Sequence, residues 1–314
     1  MMAAVETHGL RKKFRSLLGK ELVAVDSLDL VVERGSVFGL LGPNGAGKTT
    51  TIQMLLGNVR PTAGWGTLLG KPLGHTATKQ HIGFLPEKFQ FHDFLTAEEF
   101  LYFHGRLVGM EWTDLRKRTD EVLQTVGLSE RRKSQIREFS KGMQQRIGLA
   151  QAILHQPELV ILDEPTSALD PIGRRDVRDV IRRLKERGAT VMLNSHLLSE
   201  VEMACDSVAI INKGRVVRHG TLDSLLLTKS VVEVEARGVT QAALAALNRF
   251  ARVMSWDGDR YTVAVNSDED IPEVAATLVR HNAKLMQMHY QRESLEELFI
   301  RTIEDDAQGG LSRA

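Results

Sequence analysis

The stretch VFGLLGPNGAGKTTTIQMLLG, Val37 to Gly57, joins three patterns in one run. Val37 to Leu41 is a short apolar run of strand length, and from Thr49 the chain reads as a helix with Gly57 as its stop. Between them GPNGAGKT, Gly42 to Thr49, fits the phosphate-loop pattern G-x-x-x-x-G-K-[ST]. Strand, glycine loop and helix in succession is the context such a loop requires, and it sets the class as α/β. Gly42, Gly45 and Gly47 can take backbone angles closed to other residues, and Pro43, Asn44 and Ala46 complete the loop. Successive N–H groups then point inward at phosphate oxygens, reinforced by the positive end of the following helix.

Lys48 adds a mobile positive charge for β- and γ-phosphates, the Thr49 hydroxyl can ligate Mg2+, and Thr50 offers a hydroxyl to the α-phosphate. Further along, LVILDEP (Leu159 to Pro165) places two carboxylates at the carboxyl end of a buried strand, the ligand edge of a parallel sheet. Asp163 is expected to hold Mg2+ through its water shell. Glu164 is expected to face the γ-phosphate as general base for an attacking water. An Asp-Glu pair at a strand end is common by itself. Joined to the phosphate loop, it points to nucleoside triphosphate hydrolysis.

The remainder of the chain bounds this reading. Its 314 residues suffice for one sizeable core and a small second domain, and 42% hydrophobic and 26% charged residues fit a soluble globular protein. Forty-one basic residues against forty acidic leave a net charge of +1, so no nucleic-acid partner is expected. A lone Cys205 excludes an internal disulfide and agrees with a reducing cytoplasm. No apolar run approaches the roughly 20 residues of a membrane span, and MMAAVETHGLRKKF does not read as a secretory leader. Any passage across a membrane must come from another polypeptide.

Strand-like and helix-like signals alternate through the first two hundred or so residues. Residues 90–156 break the pattern with helical periods, and read as a helical subdomain inserted in the core. The parallel-sheet pattern resumes with LVILD, TVMLNS and SVAIINKG. Beyond Gly220 the order becomes βαββαβ, with Asp257-Gly258-Asp259 as a hairpin turn, which is the ferredoxin-like split unit. The expected domains are therefore residues 1–225 and 226–308, with 309–314 a disordered tail.

FSKGMQQR (Phe139 to Arg146) lies between the glycine loop and the acidic pair. That order resembles the nucleotide-binding subunit of an ATP-binding cassette (ABC) transporter, over residues 5–220 and more weakly in the tail. The resemblance implies a P-loop NTPase core of the ABC ATPase type, with a small α+β ferredoxin-like C-terminal domain. It implies ATP and Mg2+ as ligands, and a homodimer, or a pairing with a similar ATPase subunit, in which two chains close face to face over nucleotide. Ser140 and the backbone at Gly142 would meet the γ-phosphate held by the other subunit. Lys141 and Met143 replace the family's usual glycine and glutamine, as in bacterial exporter-type members; Lys141 adds charge near the phosphate or points to solvent. SALD (Ser167 to Asp170) takes the place of the D-loop, and His196 that of the switch histidine.

Phe14 stands where the family stacks an aromatic ring on adenine, with a core position on an early strand as the other reading. In HIGFLPEKFQFHDFLT, Glu87 occupies the place of a glutamine that ligates Mg2+, unless Gln90 is the true counterpart. The resemblance further implies a separate integral membrane permease subunit, received by a socket that includes some of the aromatics from Phe89 to Phe103, most of them being internal packing. It implies a peripheral position on the cytoplasmic face of the inner membrane, with export favoured by the variant octapeptide and the appended domain. A soluble non-transport cassette ATPase and a nucleotide-sensing regulator are the alternatives from other classes.

Overall fold

A computed structural model describes residues 3–15, 21–226, 231–291 and 294–308; the tail expected at 309–314 lies outside them. Alternation builds the first pair of strands, Ala3–Arg15 (β1) and Glu21–Glu33 (β2). In β2, Leu28, Leu30 and Val32 are buried while Ser27, Asp29, Val31 and Glu33 face outward. Val37–Leu41 (β3) is buried at every position and leads through the glycine loop into Lys48–Leu55 (α1). Ala63–Leu68 (β4) and the two-residue Lys71–Pro72 (β5) follow. They complete an antiparallel sheet of order β2-β1-β4-β5.

Ile82–Leu85 (β6) opens a second sheet, and three helices then intervene: Ala97–Leu107 (α2), Trp112–Thr125 (α3) and Lys141–Ile153 (α4). Their starts are written in the sequence. Thr96 and Glu99 close a capping box, with Glu99 N–H donating to the Thr96 hydroxyl at 3.3 Å and Thr96 N–H to the Glu99 carboxylate at 2.9 Å. The buried Arg118 fastens α3 to the end of α4 by donating to the carbonyls of Leu154 (3.1 Å) and Ile153 (3.2 Å). A cationic side chain is tolerable there because its donors meet carbonyls and the Glu121 carboxylate.

The sheet resumes with Leu159–Asp163 (β7), then Pro171–Glu186 (α5), Thr190–Asn194 (β8), Leu198–Ala204 (α6), Ser207–Asn212 (β9), Arg215–Thr221 (β10) and the short Leu222–Leu226 (α7). Its order is β10-β9-β3-β8-β7-β6, parallel from β9 to β6 with β10 antiparallel at one edge. β3, β7 and β8 are buried along their whole length, which is why they read as nearly continuous apolar runs.

The chain divides into two compact units, one running to Thr221 and resuming at Thr302, the other Leu222–Arg301. The second contains Val231–Arg237 (β11), Gln241–Leu247 (α8), Ala251–Asp257 (β12), Arg260–Val265 (β13), Ile271–Arg280 (α9) and Lys284–Gln291 (β14). All pairings are antiparallel in the order β12-β13-β11-β14, the ferredoxin-like arrangement. Asp257 pairs with Arg260 across Gly258-Asp259, and Gly258 takes a φ of 59° at the first central position of that turn. Val232, Val234, Leu247, Val263 and Val274 form this unit's own core. The final helix, Leu295–Ala307 (α10), begins in the second unit and ends in the first, where Asp306 accepts from Asn212 Nδ2 at 2.8 Å.

Candidate nucleotide site

Parallel strands deliver their loops at their carboxyl ends, and here four adjacent strands do so. β3 runs into the glycine loop, β8 ends on Asn194, β7 ends on Asp163 with Glu164 next, and Glu87 lies just past β6. In register, Asn194 sits opposite Leu40 on one side and Asp163 on the other. An apolar sheet thus ends in a row of polar groups.

The loop is shaped by close approach. Gly47 has a φ of 105°, and a Cβ there would meet the Ala24 carbonyl oxygen at 2.4 Å. A Cβ on Gly42 would come within 2.3 Å of the Ile211 carbonyl oxygen. Both glycines are therefore steric requirements. Ala46 N–H donates to the Pro43 carbonyl at 3.1 Å, and the Ala46 carbonyl accepts from Gly214 N–H at 2.8 Å. Gly42, Pro43 and Ala46 hold the loop from behind and do not line the cleft.

That cleft has a volume of about 330 Å3 and is walled by Asn44, Gly45, Gly47, Lys48, Thr49 and Thr50 on the loop side, and by Phe14, Leu22, Val23 and Ala24 from β1 and β2. Glu87, Glu164 and Asn194 close it. Phe14 is 41% exposed at the cleft, across from Leu22, with Lys12 Nζ 5.1 Å from its ring centroid. Phe14 therefore lies on the cleft wall and not in the core.

Lys48 is only 9% exposed and donates to the carbonyls of Gly42 (2.7 Å) and Pro43 (3.2 Å). Burial lowers its pKa, opposed by the charges of Glu164, Asp163 and Glu87. Burial raises the Asp163 pKa, opposed by the amide of Asn194 and reinforced by the Glu87 charge. Burial likewise raises Glu164, opposed by His196, whose Nδ1 lies 2.6 Å from the Glu164 carboxylate. Glu164 takes a left-handed φ of 55°, with its N–H on the Asn194 carbonyl at 2.8 Å. His196 is exposed and reaches the cleft through Glu164.

Glu87 lines the cleft, and its charge acts on Asp163 and Lys48, whereas Gln90 is not among the lining residues. Ser140 caps α4, its hydroxyl accepting from Met143 N–H at 3.3 Å. Ser140 and Gly142 line a different cleft of about 460 Å3, together with Lys141, Met143, Ala168, Leu169 and Asp170. The two clefts share no residue.

Sequence reasoning passed over four contributors. Asn194 was readable as a polar residue ending an apolar strand beside Asp163. Gln145, on the octapeptide's own helix, donates from Nε2 to the Glu164 carbonyl at 3.2 Å. Leu22 and Val23 line the cleft because β2 pairs with β1 beside Phe14, and nothing in the local sequence signals that pairing.

Oxygen donors predominate at this edge. Three carboxylates face one ammonium, a surplus of negative charge that a divalent cation would balance, and Thr49, Asp163 and Glu87 are hard donors suited to Mg2+. Among the described residues no group of three His, Cys, Asp or Glu side chains is arranged to hold a metal unaided. Mg2+ commonly keeps several waters and takes the rest of its shell from phosphate, so such a site does not require one.

A strand–glycine loop–helix unit on a parallel sheet, with an acidic strand end beside it, defines a P-loop nucleoside triphosphatase. The family described as ABC transporter matches residues 25–167. An uncharacterized ABC transporter ATP-binding protein of Synechocystis is 41% identical over 305 residues, covering 96% of this chain and 85% of the relative. The linearmycin resistance ATP-binding protein LnrL of Bacillus subtilis is 35% identical over 94% of this chain and 99% of its own length. A solved ATP-binding subunit of an ABC transporter superposes with a TM-score of 0.65 at 31% identity, over 71% of this chain and 91% of that one. The chain belongs to the ABC transporter ATP-binding proteins. It is an ATP-binding, ATP-hydrolysing subunit of a transporter.

Proposed function

We propose that two copies of this chain close over two ATP molecules, each nucleotide held by the glycine loop of one copy and by Ser140 and Gly142 of the other. The observation that carries this reading is the separation of the two clefts within one chain. Ser140 and Gly142 line a cleft apart from the glycine loop of the same chain, and the helix N-terminus they sit on is suited to receive an anion. The Ser140 hydroxyl accepts from Met143 and keeps its own hydrogen to donate.

Within the closed site the residues divide the work. The loop amides and Lys48 bind the phosphates, and Phe14 stacks on the base. Thr49, Asp163 and Glu87 hold Mg2+, directly or through its waters. When bound, that ion supplies charge neutralisation on the phosphate oxygens. Glu164 accepts the proton of the attacking water, and His196, hydrogen-bonded to it, orients its carboxylate. Loss of the γ-phosphate removes the group both copies share, and the dimer opens.

Opening and closing drive a separate membrane-spanning subunit, to which this chain docks at the cytoplasmic face. Among the described residues no helix is long and apolar enough to cross a membrane. Export is the direction favoured, because a relative matched almost end to end is named for resistance to linearmycin. The Glu164→Gln variant tests the closure. With saturating MgATP, analytical ultracentrifugation should give twice the chain mass of 35.0 kDa, and with EDTA a single chain.

A further inference from the structure

β8 ends on Asn194, an amide only 2% exposed that follows the apolar Val191, Met192 and Leu193. An amide buried at the end of such a strand needs hydrogen-bond partners. Nδ2 donates to Asp163 Oδ1 at 2.5 Å, and the backbone carbonyl accepts from Glu164 N–H at 2.8 Å. The side-chain oxygen is different: Oδ1 is buried and has no hydrogen-bond partner. Turning the amide over would set its oxygen against the Asp163 carboxylate, so the chemistry fixes its orientation. Asn194 also lines the nucleotide cleft beside Lys48, Glu87 and Glu164.

An acceptor in that place calls for a donor. The ionised carboxylates of Glu87, Asp163 and Glu164 have no hydrogen to give, and Lys48 Nζ is directed to the Gly42 and Pro43 carbonyls. The donor that arrives with the substrate is water in the shell of its divalent cation, made more acidic by the charge it is bound to. We infer that Asn194 is a positioning residue for that cation. Its amide holds Asp163, and its Oδ1 accepts a hydrogen bond from a cation-bound water. This rests on the divalent-cation reading proposed above, and outer partners of this kind typically change metal affinity strongly.

Asn194→Leu keeps the same number of side-chain heavy atoms and the same branching, and removes the amide's donor and acceptor. The probe is binding of a fluorescent ATP analogue, measured in EDTA and again over a Mn2+ titration. Wild type should bind more tightly with Mn2+. In the variant the Mn2+ enhancement should fall about 10- to 100-fold, well beyond any loss of affinity in EDTA. Absence of any Mn2+ enhancement in wild type would overturn the cation reading itself. Enhancement retained in Asn194→Leu would overturn only this inference, as would equal losses with and without Mn2+, since those report packing. If the leucine variant does not fold, Asn194→Ser decides the matter: a several-fold smaller Mn2+ enhancement supports the inference, and an unchanged one refutes it.

Discussion

Glu164→Gln should lower steady-state ATP hydrolysis by about 10²- to 10⁴-fold, the range that a lost general base commands. ATP affinity should change little, because the substitution preserves shape and leaves Lys48 and the loop amides untouched. The reason lies in the setting of this carboxylate. Burial raises its pKa toward the pH at which it must accept a proton, while His196 restrains that shift and orients the carboxylate. The same geometry predicts an acidic limb in kcat/KM that lies above the ordinary glutamate range. Activity is lost as pH falls through that raised value, because a protonated Glu164 cannot accept the proton of water. Phosphate release measured across pH checks both statements.

Lys48→Met should weaken ATP binding by about 2–5 kcal/mol, the cost of truncating one member of a buried charge pair. Its ammonium is the cation that burial, three neighbouring carboxylates and the glycine loop all address. The substitution leaves Glu87, Asp163 and Glu164 facing incoming phosphates with no ammonium between them. Like charges then oppose binding of the same nucleotide that the loop amides attract. Equilibrium binding of radiolabelled ATP measures the loss. A variant binding as wild type does would remove Lys48 from the phosphate site.

Much of this architecture is legible along the chain because its signals are local. The glycine loop, the apolar run before it and the helix after it report one strand–loop–helix unit within about twenty residues. The capping box at Thr96 and Glu99, and Asp170-Pro171 at the start of α5, mark helix starts in the same local way. In the second unit, the turn at Gly258 marks one hairpin, and the succession βαββαβ is what points to the ferredoxin-like strand order.

What the chain conceals is non-local. Asn194 becomes meaningful only when β8 lies between β3 and β7, because that register puts its amide on Asp163. Gln145 sits in the octapeptide that the sequence singles out, yet its bond to the Glu164 carbonyl depends on how α4 packs. The choice between Glu87 and Gln90 could not be made by spacing, since the segment after β6 has no periodicity; the cleft lining points to Glu87. The separation of Ser140 from the glycine loop is likewise a property of the folded sheet.

That separation makes complementation between two inactive variants the most direct test of the shared site. Lys48→Met spoils the loop side, and Ser140→Arg blocks the opposite side without touching the cleft that holds the phosphates. Each alone should hydrolyse almost no ATP. In a mixed dimer one composite site carries both lesions and the other carries neither, so mixing equal amounts should restore about a quarter of wild-type turnover. A mixture as inactive as its separate components, in a preparation shown to contain mixed dimers, would contradict an ATP held between two copies of this chain.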